Sequence, residues 1–334
     1  MRSPVTLVAV LAASSLALVG CSAGASDDTA TATNGPSVAA GTFPVSVDTK
    51  FGEVTIDRQP KRVVALGWGD AETALALGVQ PVGASDWLAF GDEADGVGPW
   101  AQGLYDQSPE IIGTLEPSYE AIAALEPDLI LDTKGSGDQD RYDRLSSIAP
   151  TVGVPEGGDN YLTDFEDQLD LVSTALGLED EGGRLVDESE SAVEAIAQAH
   201  PEWDGLTVTA ATRTSEGWGA YVEGSERVDL LEELGFEQNP AIAALTPNSG
   251  GFSVTISSEQ LDVIDADVIV AFPIYIDTTE ITDDPQWKAV PAVKAGHDLV
   301  IDGDVSAAYS LSSALSRQYA LDQLVPLLET ATQS

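Results

Sequence analysis

The sequence predicts an α/β fold of two lobes, each a central, mostly parallel sheet flanked by helices, with one long α-helix bridging them. Three observations lead there. Strand-helix-strand patterns occur in both halves of the 334-residue chain, a length that suits two domains better than one small core. A unit recurs 139 residues apart: in "SYEAIAALEPDLIL" and "SSEQLDVIDADVIV" a Ser (Ser118, Ser257) is followed at +2 by Glu (Glu120, Glu259) and at +10 by Asp (Asp128, Asp267), which heads an apolar run. Between the halves lies helical periodicity without a crossing strand.

At the N-terminus, Arg2 precedes the apolar stretch Val5–Val19, which at 15 residues is too short to span a bilayer permanently and reads as a signal peptide over 1–20. It ends in Leu18-Val19-Gly20-Cys21, which resembles the bacterial lipobox, in which the cysteine thiol is lipidated. Cys21 is the single cysteine of the chain, so no intrachain disulfide can form. Residues 21–42 lack apolar periodicity and are expected to be a flexible tether with a reach on the order of 25 Å.

The N-terminal lobe is expected over 43–160. Phe43 to Ile56 alternates and predicts a hairpin. Val63 to Leu66 reads as a buried strand, Gly67 to Gly69 as a turn, Asp70 as an N-cap, and Glu72 to Leu77 as a helix stopped by Gly78 before the strand that begins at Val79. Ser118 caps a helix through Leu125, and Leu129 to Leu131 forms a further strand. Leu162, Phe165, Leu169, Val172 and Leu176 recur at helical steps behind a Thr163/Glu166 capping box and before Gly177, so the bridging helix is placed at 161–178. A second helix runs from about Asp180 to Ala199 and ends at Pro201. The C-terminal lobe, 179–334, repeats the plan with strands at Leu206–Thr212 and Gly219–Val222, a helix at Arg227–Gly235, and the capped unit from Ser257, which a Ser257/Gln260 capping box would open.

Fourteen basic against 56 acidic side chains give a net charge of −42, and a chain starting at Cys21 would carry −43. Such a chain brings no positive field to phosphates, so nucleic acid and anionic lipid are poor partners, no nucleic acid is expected, and the acidity reads as a solvated surface. There is no G-x-S-x-G elbow, H-E-x-x-H helix or P-loop, and two isolated histidines leave little for acid-base work, so no catalytic residue is assigned and the chain is not expected to be an enzyme.

The order and spacing of "RVVALGWGDAETALALGVQPVGA", "EAIAALEPDLIL", "LTDFEDQLDLVSTALGLEDEGGRLVDESES", "VEGSERVDLLEELGF" and "ISSEQLDVIDADVIVAF", from about Arg62 to Leu328, resemble the helix-linked, two-lobed substrate-binding proteins of ABC importers for iron-siderophores and cobalamin. The resemblance implies a monomeric protein, anchored by lipid through Cys21 at the outer face of the cell membrane, that captures a ferric siderophore between its lobes and delivers it to a membrane permease with its ATPase. It also implies that Glu120 and Glu259, one per lobe, dock against permease arginines. From the residues alone, each is a first-turn glutamate favoured by the helix dipole.

Ligands of such sheets bind beyond the carboxyl ends of the strands, which nominates Trp68, Trp87 and Trp100 in the first lobe and Arg213, Trp218, Tyr221, Tyr275 and Tyr309 in the second. The resemblance gives Arg213 a further meaning, since a second-lobe arginine often meets the iron-coordinating oxygens in that family, and its plain alternative is a surface ion pair. With one such arginine in so acidic a body, a neutral or cationic ferric hydroxamate held by aromatic faces is expected over a triply anionic catecholate. Cobalamin or haem is the rival ligand, with Tyr275 or Tyr309 as a possible axial group for haem. His200, before Pro201, and His297, in a turn, have commonly structural settings, so no metal site and no cofactor are expected, and iron would arrive already chelated.

Overall fold

The computed structural model describes residues 41–333. The expected signal peptide, Cys21 and the expected tether up to residue 40 lie outside the described residues.

The hairpin forms from β1 (Val45–Thr49) and β2 (Gly52–Ile56), which pair antiparallel and bury Val47, Val54 and Ile56 from alternate positions. The first sheet is all parallel, in the order β5-β4-β3-β6-β7, from β3 (Val63–Ala65), β4 (Gly83–Ser85), β5 (Glu110–Ile112), β6 (Leu129–Leu131) and β7 (Thr151–Val152). Helices α1 (Asp70–Ala76), α2 (Tyr119–Ala124) and α3 (Gln139–Ser146) connect its strands. Both faces are covered, so β3 and β6 are continuous apolar runs whose neighbours divide between two cores: Val63, Leu129 and Leu131 join one cluster, Val64 and Ile130 the other.

Helix α4 (Phe165–Leu176) follows, then α5 (Glu179–Ala199). The second sheet has the order β11-β9-β8-β12-β13, with β10 also on β8. Its strands are β8 (Thr207–Thr214), β9 (Gly217–Tyr221), β10 (Glu237–Gln238), β11 (Ser253–Ile256), β12 (Val268–Pro273) and β13 (Asp298–Val300). β8, β10, β12 and β13 run parallel, while β9 is antiparallel to β8 and β11. Around them lie α6 (Glu226–Glu233), the short α7 (Pro240–Ala243), α8 (Thr279–Thr282) and α9 (Pro291–Ala295), then α10 (Gly303–Leu311) and α11 (Ala314–Thr332).

The recurring unit has one structural job in both lobes. Asp128 accepts hydrogen bonds from the Lys61 and Arg62 amides just ahead of β3, and Asp267 accepts from the Thr207 amide that starts β8, each at 2.8–3.1 Å. Each Asp therefore pins the start of the central strand beside its own, which is why the spacing recurs.

Three local expectations are corrected. The bridge is α5, not 161–178: the stripe of α4 is used up in the first-lobe core, where Phe165, Leu169, Val172 and Leu176 are buried, whereas α5 sets Leu185 and Val186 against that core and Val193 and Ile196 against the second. At 21 residues, α5 spans about 30 Å. The N-cap of α4 is Asp164, accepting from Asp167 N, because Thr163 is buried and donates instead to the Thr133 carbonyl at 2.6 Å. Ser257 caps through Glu259 N, not through a box: residues 258–264 form 3-10 turns, and Gln260 at φ −115° is not helical.

The expected cap at Asp70 is corrected too: the N-cap is Gly69, at φ 82°, and Asp70 is the first residue of the helix. It opens α1 fully buried, accepting from the amides of Gly67 and Thr133, the Thr133 hydroxyl and the Gln168 amide, so it fastens the loop after β3 to the loop after β6 and to α4. Burial pushes its carboxyl pKa up, against the pull of these hydrogen bonds.

Candidate functional site

The loops that leave β3, β4 and β6 at their carboxyl ends face the β9–α6 turn of the second lobe across a cleft of about 200 Å³. Trp68 and Trp87 line it from the first lobe and Tyr221 from the second, as their strand-end positions suggested. The indole Nε1 of Trp87 donates to the Leu66 carbonyl at 3.0 Å, and that of Trp68 to Leu311 at 3.2 Å, so both rings are held by their edges with faces left for contact. Trp87 meets Trp68 at 5.5 Å and Tyr161 at 5.2 Å between ring centroids, and Tyr221 is stacked 6.2 Å from Phe252.

Between these two aromatic groups stands Arg227, the second residue of α6. Its guanidinium carbon lies 4.5 Å from the Tyr221 ring centroid and 5.9 Å from that of Trp68, so one cation is flanked by a ring from each lobe. Its Nε donates to Ser310 Oγ at 3.3 Å, and among the described residues it has no carboxylate partner. Tyr309 is fully buried and its hydroxyl donates to the Arg227 carbonyl, which fixes the start of α6 from beneath.

The floor is ionic. Lys134, at the end of the β6 loop, reaches Glu226 at 3.3 Å, and Glu226 also accepts from Ser312 Oγ at 2.7 Å and lies 3.5 Å from Arg317. Burial raises the Glu226 pKa, but Lys134 and Arg317 outweigh it, and the carboxyl sits below its ordinary value. Beyond Glu226 opens an acidic trough of about 500 Å³ in which Glu166, Glu190, Asp229 and Glu233 face one guanidinium, that of Arg317.

The other five nominated residues stand elsewhere. Arg213 is paired across the strands with Trp218, and its guanidinium lies 5.7 Å from that ring and donates to the Thr214 carbonyl. Trp218 is buried, stacked on Trp287 at 5.5 Å and donating to Asp284. Residues 218 and 221 differ by an odd number on one strand, so only one of the two can face the cleft. Trp100 turns inward, its indole donating to the buried Glu72 at 2.5 Å, and packs on Phe90 and Tyr319. Tyr275 is 90% exposed outside the cleft, and Tyr309 lies under Arg227 instead of lining it.

Sequence reading missed Lys134, Tyr161, Arg227 and Phe252. Lys134 was within reach, since it follows Leu129–Leu131 as Trp68 follows the first strand. Arg227 sits inside "VEGSERVDLLEELGF", where the local pattern signals only the start of a helix. Asn160 and Tyr161 give no local signal, although both adopt left-handed φ (51° and 64°), held by their amides on Ser136 and Gly135 carbonyls. Two such residues in succession at a cleft wall cost on the order of 1–3 kcal/mol each.

Two α/β lobes joined by helix, with an aromatic cleft at their strand ends, define a small-ligand binding protein. The chain belongs to the periplasmic binding protein family, whose model matches residues 63–305. It is 30% identical over 262 residues to a probable siderophore-binding lipoprotein of Bacillus subtilis, YfiY, covering 74% of this chain and 76% of that one. It is 26% identical over 261 residues to the Fe(3+)-citrate-binding protein YfmC of the same organism, covering 76% of each. Among solved structures, PiaA of Streptococcus pneumoniae in complex with ferrichrome matches with a TM-score of 0.73 and 28% identity over 86% of this chain and 99% of that one. A periplasmic solute-binding protein of Mycobacterium smegmatis matches with a TM-score of 0.75 and 27% identity over the same shares.

Proposed function

We propose that this protein captures a ferric siderophore of the hydroxamate class in the interlobe cleft and hands it to an ABC permease for iron uptake. The observation that carries the ligand class is Arg227: one unpaired guanidinium between two aromatic faces can donate to the iron-coordinating oxygens, while the acidic trough beside it repels a multiply anionic complex. The names of the relatives above support the siderophore reading. Lipidation at Cys21, outside the described residues, would hold the protein at the outer face of the membrane, and the lipoprotein name of its Bacillus relative supports that. Among the described residues no helix is long and apolar enough to cross a membrane. We read the working form as a monomer that presents Glu120 and Glu259 to the permease.

Haem loses its two candidate axial groups, because Tyr275 stands outside the cleft and the Tyr309 hydroxyl is engaged by the Arg227 carbonyl. The deciding measurement is quenching of intrinsic tryptophan fluorescence by ferrioxamine, ferrichrome, ferric enterobactin, haemin and cyanocobalamin. Tightest quenching by the hydroxamates is expected. Preference for the catecholate would overturn the ligand class, and preference for haemin or cobalamin would overturn the siderophore reading.

A further inference from the structure

The cleft is smaller than the roughly 300–1,000 Å³ usual for drug-sized ligands. A second chamber of about 260 Å³ adjoins it, sharing Tyr221 and Phe252 as a common wall and lying wholly on the second lobe. Ile274 adds a further apolar surface, while Thr212, Thr214, Asn248 and Thr255 supply hydroxyl and amide groups. The Asn248 side chain is tied to the edge strand, donating to Ser253 Oγ and accepting from Thr255 Oγ1, both at 3.2 Å. Among the described residues, Glu216 is the only one lining this chamber that carries a formal charge, and Arg213 does not line it.

We propose that this chamber is a second subsite, which seats an uncoordinated, amine-terminated arm of the ligand whose iron centre lies beside Arg227. The assignment rests on the hydroxamate reading above. Tyr221, Phe252 and Ile274 pack against the methylenes of such an arm, the hydroxyls and amide solvate its amide links, and Glu216 meets its ammonium end. A ligand with its arm in the chamber uses both volumes and explains why the central cleft alone is small.

Ser253 is the position to close. It pairs directly with Tyr221 across β9 and β11, so its side chain stands on the same face of the sheet as Tyr221 and lines the chamber, which Arg227 and Trp68 do not. The test compares ferrioxamine B, which carries a free amine arm, with ferrioxamine E, which has the same three hydroxamates closed in a ring and no arm. Ser253→Trp is expected to weaken ferrioxamine B about tenfold and ferrioxamine E less than about twofold, the difference expected from losing one packed arm. Glu216→Gln, in an exposed turn that tolerates the change, should lower the preference for ferrioxamine B over its N-acetylated form about threefold. Equal effects on both complexes, or none on either, would overturn the arm assignment while leaving the hydroxamate reading intact. Failure of the wild-type protein to bind either complex would overturn both.

Discussion

Lys134 of the first lobe and Glu226 of the second meet at 3.3 Å beneath the cleft, the lysine side chain 3% and the glutamate 11% exposed. Arg317 lies against the same carboxylate and also reaches Glu233 at 2.5 Å and Ser189 of α5 at 3.2 Å, so both lobes, the bridging helix and α11 converge on one ionic knot.

Removing one partner should expose the cost of such a knot. Breaking a buried pair typically costs about 3–5 kcal/mol because a charge is left uncompensated. Here Arg317 remains to neutralise Glu226, so Lys134→Met is expected at the low end, about 3 kcal/mol, and Lys134→Met with Glu226→Gln should recover part of that loss. Denaturant unfolding measures both, and a double variant no more stable than the single one would show that the lysine matters through packing alone.

The arginine in the cleft separates the structural reading from the sequence reading. Arg227→Ala should weaken a ferric hydroxamate by about 2 kcal/mol, roughly thirtyfold, the scale of a charge-assisted hydrogen bond. Arg213→Ala should leave affinity unchanged, because its guanidinium lies on the Trp218 face of the sheet. Titration by fluorescence quenching reads both, and the opposite ranking would restore Arg213 as the ligand contact.

How far the sequence was legible follows from the range of each signal. Strand and helix periods are local, so β3, β6 and α4 could be read directly, and the recurring Asp could be seen, although its partners ahead of β3 and β8 could not. The cleft is assembled from loops far apart in the chain. Strand-end position therefore found Trp68 and Trp87 but equally nominated Trp100, whose indole is claimed by a buried carboxylate 28 residues earlier. Likewise α4 and α5 are both amphipathic, yet a bridge must divide its apolar residues between two cores, and of the two only α5 does so, whereas α4 commits its stripe to the first-lobe core.

That buried carboxylate makes stability depend on pH. Glu72 accepts from Trp100 Nε1, Ser313 Oγ at the start of α11 and the Gly98 amide, with Asp86 the nearby like charge, and burial pushes its pKa up to about 7 from 4.5. A carboxyl that holds its proton more tightly when folded contributes stability that is complete below about pH 4.5 and is lost as pH rises through about 7. The loss amounts to roughly 3 kcal/mol. Glu72→Gln keeps a carbonyl acceptor but cannot titrate, so the variant should gain on the wild-type protein by about that amount between pH 4.5 and 8. Paired thermal melts across this range test it, and a constant difference would refute the assignment.

Glu120 and Glu259 follow the edge strands of their sheets, β5 and β11, and each stands within two residues of a capping serine whose hydroxyl accepts a first-turn amide at 3.2 Å. Both are exposed, so neither is needed for the core. A first-turn carboxylate gains only about 0.3–1 kcal/mol from the helix dipole, so reversing its charge should cost little stability. A permease that straddles both lobes would instead find two like charges at once. Glu120→Arg with Glu259→Arg is therefore expected to abolish ferric-siderophore uptake by whole cells, each single change to reduce it, and the affinity of the purified protein for its ligand to stay unchanged. Uptake that survives the double change would remove these two residues from the docking surface, whereas a parallel loss of affinity would place their effect in the cleft.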